Sequence, residues 1–267
     1  VLIDRAIANN EPTKPDLNKN LILGAASGLL ISTSLLFIWL LAGNIITSRK
    51  IAELEFGLPI IMDAPKYRKR RHKKNLHMLS SGYTKNSGYK KYLKAASLFK
   101  STENRRFMLT SSPSDINTVN ACASLALAMG EIGSNTLIID MGINTKIKTH
   151  LKQFINESDQ VPFSNKTENE IITITKKLRL LCFNGSDIQV DKKNDFLVLK
   201  KHFHLYDSII IFIESETDII VHPYIMDQID DVVFVATNDK TNVSDAKDAI
   251  KYLRDRNLSF YGMIFCN

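Results

Sequence analysis

"RFMLTSSPSDINTVNACASLALAMGEIGSNTLIID", Arg106 to Asp140, reads as strand, loop, helix, strand. "RFMLT" and "NTLIID" are short and apolar, and between them Val119 to Glu131 is rich in Ala and Leu. Two apolar strands separated by one helix predict neighbours in a parallel sheet, since parallel strands need a crossover. The segment from Thr110 to Thr118 leaves the carboxyl end of a strand and enters a helix, which is where a phosphate-binding loop sits. From Thr110 on it contains no Gly-Lys pair, and no glycine before Gly130. Three readings stand at this point: a disguised nucleotide site, a lost one, or a plain loop and packing helix.

The same alternation continues to the end of the chain. Lys146 to Ile155 reads as a helix, "LRLLCF" as a strand, Asp195 to Leu205 as a helix, and "SIIIFI" and "DVVFVAT" as strands. Val243 to Arg254 is a helix and "YGMIFC" a last strand. Strands that are apolar throughout predict an α/β, Rossmann-like, mostly parallel sheet covered by helices on both faces, beginning near residue 104.

Ahead of it lies a different kind of sequence. Residues Leu21 to Leu41 carry no charge, and the uncharged stretch runs from Asn20 to Ser48. About 20 apolar residues suffice to cross a bilayer as a helix, so residues 20–45 are predicted to span one. Arg5, Lys14 and Lys19 precede it, against fourteen Lys or Arg between Arg49 and Lys100. Positive charge marks the cytoplasmic flank, so the N-terminus is placed outside and the α/β part in the cytoplasm. Trp39 fits an interfacial anchor. Residues 1–19, with Pro12 and Pro15, read as an extended outer connector continuing from something larger. Gly24 and Gly28 form a GxxxG with Ser32 a turn beyond: a helix-packing face, or the ordinary small-residue content of a span. Residues 46–103 read as a juxtamembrane linker and an entry helix, Tyr89 to Lys100. Within it Lys66, Arg68, Lys69, Arg70, Arg71, Lys73 and Lys74 form a basic cluster suited to anionic lipid or acting as a topology signal alone.

The net charge of +7 is accounted for by that flank, and no nucleic-acid reading motif accompanies it. Cys122, Cys182 and Cys266 have no metal spacing and read as small core residues. His202 and His204, two apart in the expected helix, point to different faces, so no metal site is predicted.

The order of pieces resembles the polysaccharide co-polymerases, inner-membrane chain-length regulators of exopolysaccharide and capsule export that often carry a cytoplasmic P-loop tyrosine-kinase-like domain. "RAIANNEPTKPDLNKN" is similar to the family's proline-bearing approach to its last span, and "ELEFGLPII" to its Leu-Gly-Leu-Pro element. The family loop reads Thr-Ser-Ser-x-Pro-Gly-Glu-Gly-Lys-Ser-Thr. Thr110, Ser111 and Ser112 match its start, and Leu125 and Ala126 match the residues after it, without a gap. Inside, the glycines fall on Asp115 and Asn117, the lysine on Thr118 and the Mg²⁺-binding hydroxyl on Val119. In the second motif Asp140 matches, while Gly142 and Asn144 stand at its other positions. In the third, Tyr206 and Asp207 match, Phe212 replaces the magnesium-side aspartate, and Glu214 and Ser215 replace prolines. Asp140 is then a relic, a cap for the next helix, or a surviving functional acid. The family's ring-forming Glu and Arg are missing from Tyr89 to Lys100, and the sequence stops at Asn267, before the family's tyrosine-rich tail.

The resemblance implies an inner-membrane, homo-oligomeric partner of a polysaccharide polymerase and its export machinery. Phosphoryl transfer needs a phosphate cradle, a metal and an oriented base together. With the first two replaced, the leading expectation is a non-catalytic scaffold with a pseudokinase domain and no cofactor. The alternative is an autophosphorylating tyrosine kinase using ATP and Mg²⁺, and the third possibility is a decayed remnant.

Overall fold

The computed structural model describes residues 17–42, 44–65, 87–103, 105–112, 115–141, 146–151, 160–162, 170–182, 200, 203–214 and 223–267. The basic cluster from Lys66 to Lys74, the outer connector up to residue 16, Gly142, Asn144, His202, Ser215 and most of the expected helix at Asp195 lie outside these residues. The chain divides into two units, residues 1–44 and 45–267.

Among the described residues the first unit holds one helix, α1 (Leu17–Ala42). Its apolar side chains face outward all round: Leu21 is 68% exposed, Leu29 66% and Phe37 64%. Its hydroxyls turn back onto the helix, Ser27 donating to the Gly24 carbonyl at 3.1 Å and Thr33 to that of Leu29 at 2.9 Å. An apolar surface with internally satisfied polar groups suits hydrocarbon, not water. The helix ends at Ala42, whereas the sequence placed the end of the span at 45. Gly24 and Gly28 have no other atom within 4 Å of where a Cβ would sit.

The second unit is a nine-stranded sheet in the order β1-β9-β8-β2-β7-β3-β6-β5-β4. Its strands are β1 (Ile60–Ala64), β2 (Arg106–Thr110), β3 (Thr136–Asp140), β4 (Gln160–Pro162), β5 (Glu170–Thr175), β6 (Leu178–Cys182), β7 (Ser208–Phe212), β8 (Asp231–Thr237) and β9 (Phe260–Cys266). From β1 across to β6 every pair is parallel, and β5 and β4 close that edge antiparallel. Helices α2 (Arg49–Phe56), α3 (Ser87–Ser101), α4 (Ile116–Glu131), α5 (Lys146–Leu151) and α6 (Val243–Asp255) accompany it.

Alternate residues of the same strands feed opposite cores, as the period of two requires. Phe107 and Leu109 pack with α3 and α4, while Met108 packs with Ile209, Ile225 and Leu253. A third cluster joins Phe234, Ala236 and Phe265 to Ala52 and Phe56 of α2 and to Ala246 and Ile250 of α6.

Residues 46–64, read from sequence as linker, belong to this unit, as does Ile45, read as the end of the span. Ser48 caps α2 by accepting from the Ile51 amide, and Gly57 ends it in the left-handed region at φ 62°. β1 then adds to β9, with the Met263 amide donating to the Pro59 carbonyl at 2.8 Å. Two further differences concern helices. α4 starts at Ile116, three residues before the expected Val119, because Asp115 supplies a cap the apolar periodicity does not reveal. Phe203–Leu205 form a single 3₁₀ turn, where His204 was expected in an α-helix.

Candidate functional site

The carboxyl ends of β2, β3, β7 and β8 lie side by side at the middle of the sheet, so Thr110, Asp140, Phe212 and Thr237 share one edge. The loop from Thr110 to Asp115 leaves this edge and enters α4. A phosphate-binding loop would present the first amides of this helix to an anion.

Here the anion is a side chain of the loop itself. Asp115 is the N-cap of α4, with φ −136° and ψ 178°. Its Oδ1 accepts from the amides of Asn117 at 2.8 Å and Thr118 at 3.0 Å. Its Oδ2 accepts from Asn117 Nδ2 at 2.9 Å and from Lys240 Nζ at 2.8 Å. The hydroxyls of Thr118 and Thr237 add longer contacts of 3.3 Å. Burial acts to raise the carboxyl pKa, but the hydrogen bonds from Lys240 and the Thr118 amide outweigh it and hold the group below its ordinary value. The helix terminus, its amides and the nearby lysine are therefore neutralised internally.

The neighbouring positions fit the same picture. Thr118, at the position of the family's lysine, is fully buried and donates to Ser111 Oγ at 3.1 Å. Ser111 and Ser112 are both 2% exposed. Val119, at the metal-ligand position, is fully buried in the core beneath α4. A valine side chain has no oxygen to give, so it cannot replace the Mg²⁺-binding hydroxyl. Phe212, at the magnesium-side aspartate, is likewise fully buried. The donor set thus does not fit an ATP–Mg²⁺ site of the P-loop kind.

Asp140 is fully buried, and its Oδ2 accepts from the Ile147 amide at 3.0 Å, in the first turn of α5. The helix-capping reading is the one the geometry supports. Lys146, beside it, forms an ion pair with Glu214 after β7. His150 of α5 meets Asn120 of α4 at 3.2 Å. Tyr206 and Asp207, the matching pair of the third motif, sit at the opposite end of β7. There Asp207 accepts from the Asn135 amide at 2.8 Å, and Arg179 donates to the Tyr206 hydroxyl at 3.4 Å. They tie β3, β6 and β7 together.

All three cysteines are buried, and none forms a disulfide. Burial first, and then the Asp140 charge, push the Cys122 thiol up; burial and Asp115 push Cys266 up to about 12. Protonated thiols in a core are inert. Among the described residues no cluster of His, Cys, Asp or Glu is arranged to hold a metal. Sequence reasoning missed Lys240 and Thr237. They come from β8 and the turn after it, about 120 residues from Asp115, and only the sheet order brings them together.

Solved structures share this architecture. The BceF tyrosine kinase domain superposes with a TM-score of 0.61 at 16% identity, covering 83% of this chain and 98% of that one. The two share a fold. The kinase domain of the Escherichia coli tyrosine kinase ETK gives 0.58 at 17% identity, covering 80% and 91%, and the chimerical protein CapA2B2 gives 0.58 at 16%, covering 82% and 98%. No protein-family model and no curated protein matches the chain. Identities this low establish fold, not activity.

Proposed function

We propose that this chain is a non-catalytic inner-membrane component of exopolysaccharide synthesis and export, with a pseudokinase domain on the cytoplasmic side of one span. The observation that carries the reading is the Asp115 carboxylate on the N-terminus of α4, where it accepts from both the Asn117 and the Thr118 amides. A γ-phosphate needs those amides, a free cation and a metal ligand. The amides and Lys240 are engaged by Asp115, and Val119 replaces the ligand. The kinase-like fold and the order of span, Leu-Pro element and domain support a place beside a polysaccharide polymerase and its exporter. Acting as a scaffold, the domain would regulate chain length by docking those partners or copies of itself.

Incubation of the full chain with radiolabelled ATP and Mg²⁺ tests this. The account expects no phosphate on any tyrosine, and no change on substituting Asp140. Labelling that is lost in Asp140→Asn would establish the kinase instead. Deleting the locus should alter polymer length; unchanged length would remove the scaffold role.

A further inference from the structure

We propose that the outward face of α2, formed by Lys50, Ile51 and Leu54, docks on the surface of the bilayer that α1 spans. The proposal rests on α1 being a span. α2 is an eight-residue amphipathic helix whose inner face, Ala52 and Phe56, is buried on α6 and on β8, where Phe56 meets Phe234 at 5.8 Å. Ile51 and Leu54, three apart, lie together on the other side, with Lys50 one turn before Leu54. Leu54 is 83% exposed, more than any other large apolar side chain among the described residues, and Ile51 is 39% exposed.

The other charges on α2 are tied to the domain. Arg49 binds Asp63 at 2.9 Å, Glu55 binds Lys247 at 2.6 Å, and Glu53 accepts from the Ile60 amide at 3.4 Å. Lys50 is exposed and has no acidic partner among the described residues. What faces outward is therefore an apolar pair beside one free cation, the composition of a helix lying at a lipid interface.

Chain length selects the occupant. From Ala42, where α1 ends, to Arg49, where α2 begins, the chain reaches at most about 25 Å even when extended. The tether thus keeps the start of α2 close to the bilayer. Seated there, Leu54 enters the boundary between headgroups and acyl chains, about 5–10 Å deep in such helices, and Lys50 meets anionic headgroups.

Trp39 is the single tryptophan, so fluorescence can test this in the full chain. Trp39→Phe combined with Leu54→Trp is reconstituted into vesicles of brominated phosphatidylcholine and phosphatidylglycerol. Ile51→Trp is a second reporter, and His204→Trp an exposed control remote from α2 in sequence. The proposal expects the indoles at 51 and 54 to be quenched at least about twice as strongly as the one at 204. Quenching equal to the control at both positions overturns it. So does emission that shifts only with protein density, which marks a second copy as the occupant. In the unsubstituted chain Trp39 itself reports the span. Its quenching with none at 51 or 54 means that docking alone is wrong, while no quenching of Trp39 removes the span and the docking with it.

Discussion

Replacing Asp115 separates its roles, because alanine removes all of its bonds and asparagine only the ionic one. In Asp115→Ala the amides of Asn117 and Thr118 lose their acceptor; loss of a cap costs about 1–2 kcal/mol. Lys240 is half-exposed, at 49%, so its pair with Asp115 adds only about 0–1 kcal/mol. The sum is about 1–3 kcal/mol. Asparagine is as good a cap as aspartate, so Asp115→Asn should cost under about 1 kcal/mol. Urea unfolding of the full chain in detergent reads the difference: with a slope of about 2 kcal/mol per molar, alanine lowers the midpoint by about 1 M and asparagine by half of that or less. The carboxyl is held below its ordinary 3.8, so its contribution is present above that pH and lost as pH falls through the folded value. The gap between native and asparagine chains should therefore narrow only in acid. Equal midpoints for alanine and asparagine, or a neutral alanine, would refute the reasoning that this carboxylate stands in for a bound anion.

Other consequences follow from single contacts. Asp230 accepts from the Arg105 and Arg106 amides, each at 2.9 Å, and from the Arg106 side chain, so Asp230→Ala should cost about 1–3 kcal/mol in the same unfolding assay. Gly262 has φ 153°, and an added Cβ would lie 2.6 Å from the Pro59 carbonyl oxygen. Gly262→Ala should destabilise the domain by about 1–3 kcal/mol and raise amide exchange of β1 before that of β2. A reporter fused after Asn267 and active only in the cytoplasm should be active; activity of a periplasmic reporter would reverse the orientation read from the basic flank.

Much of this was legible in the sequence because its signals are local. Apolar runs such as Ile209–Phe212 and Val232–Ala236 identify strands buried on both faces. The uncharged, largely apolar stretch from Leu21 to Leu41 identifies α1. The loop was legible by subtraction: the Val119 side chain has no oxygen for a metal in any fold. What stayed hidden was relational. Residues 46–64 read as linker, yet β1 finds its partner β9 about 200 residues away. Asp115 looked like a lost glycine; in the fold its carboxylate caps the amides of α4, and Lys240, remote in sequence, completes the pair. The start of α5 at Lys146 was legible, but choosing the cap among the readings of Asp140 needed the Ile147 amide placed against its carboxylate.

The central claim is that the loop is filled by its own carboxylate and binds no nucleotide. Calorimetric titration of the full chain with ATP and Mg²⁺ tests it most directly. The account predicts no saturable heat at millimolar nucleotide; binding at micromolar concentrations that is weakened by Mg²⁺ removal would contradict it.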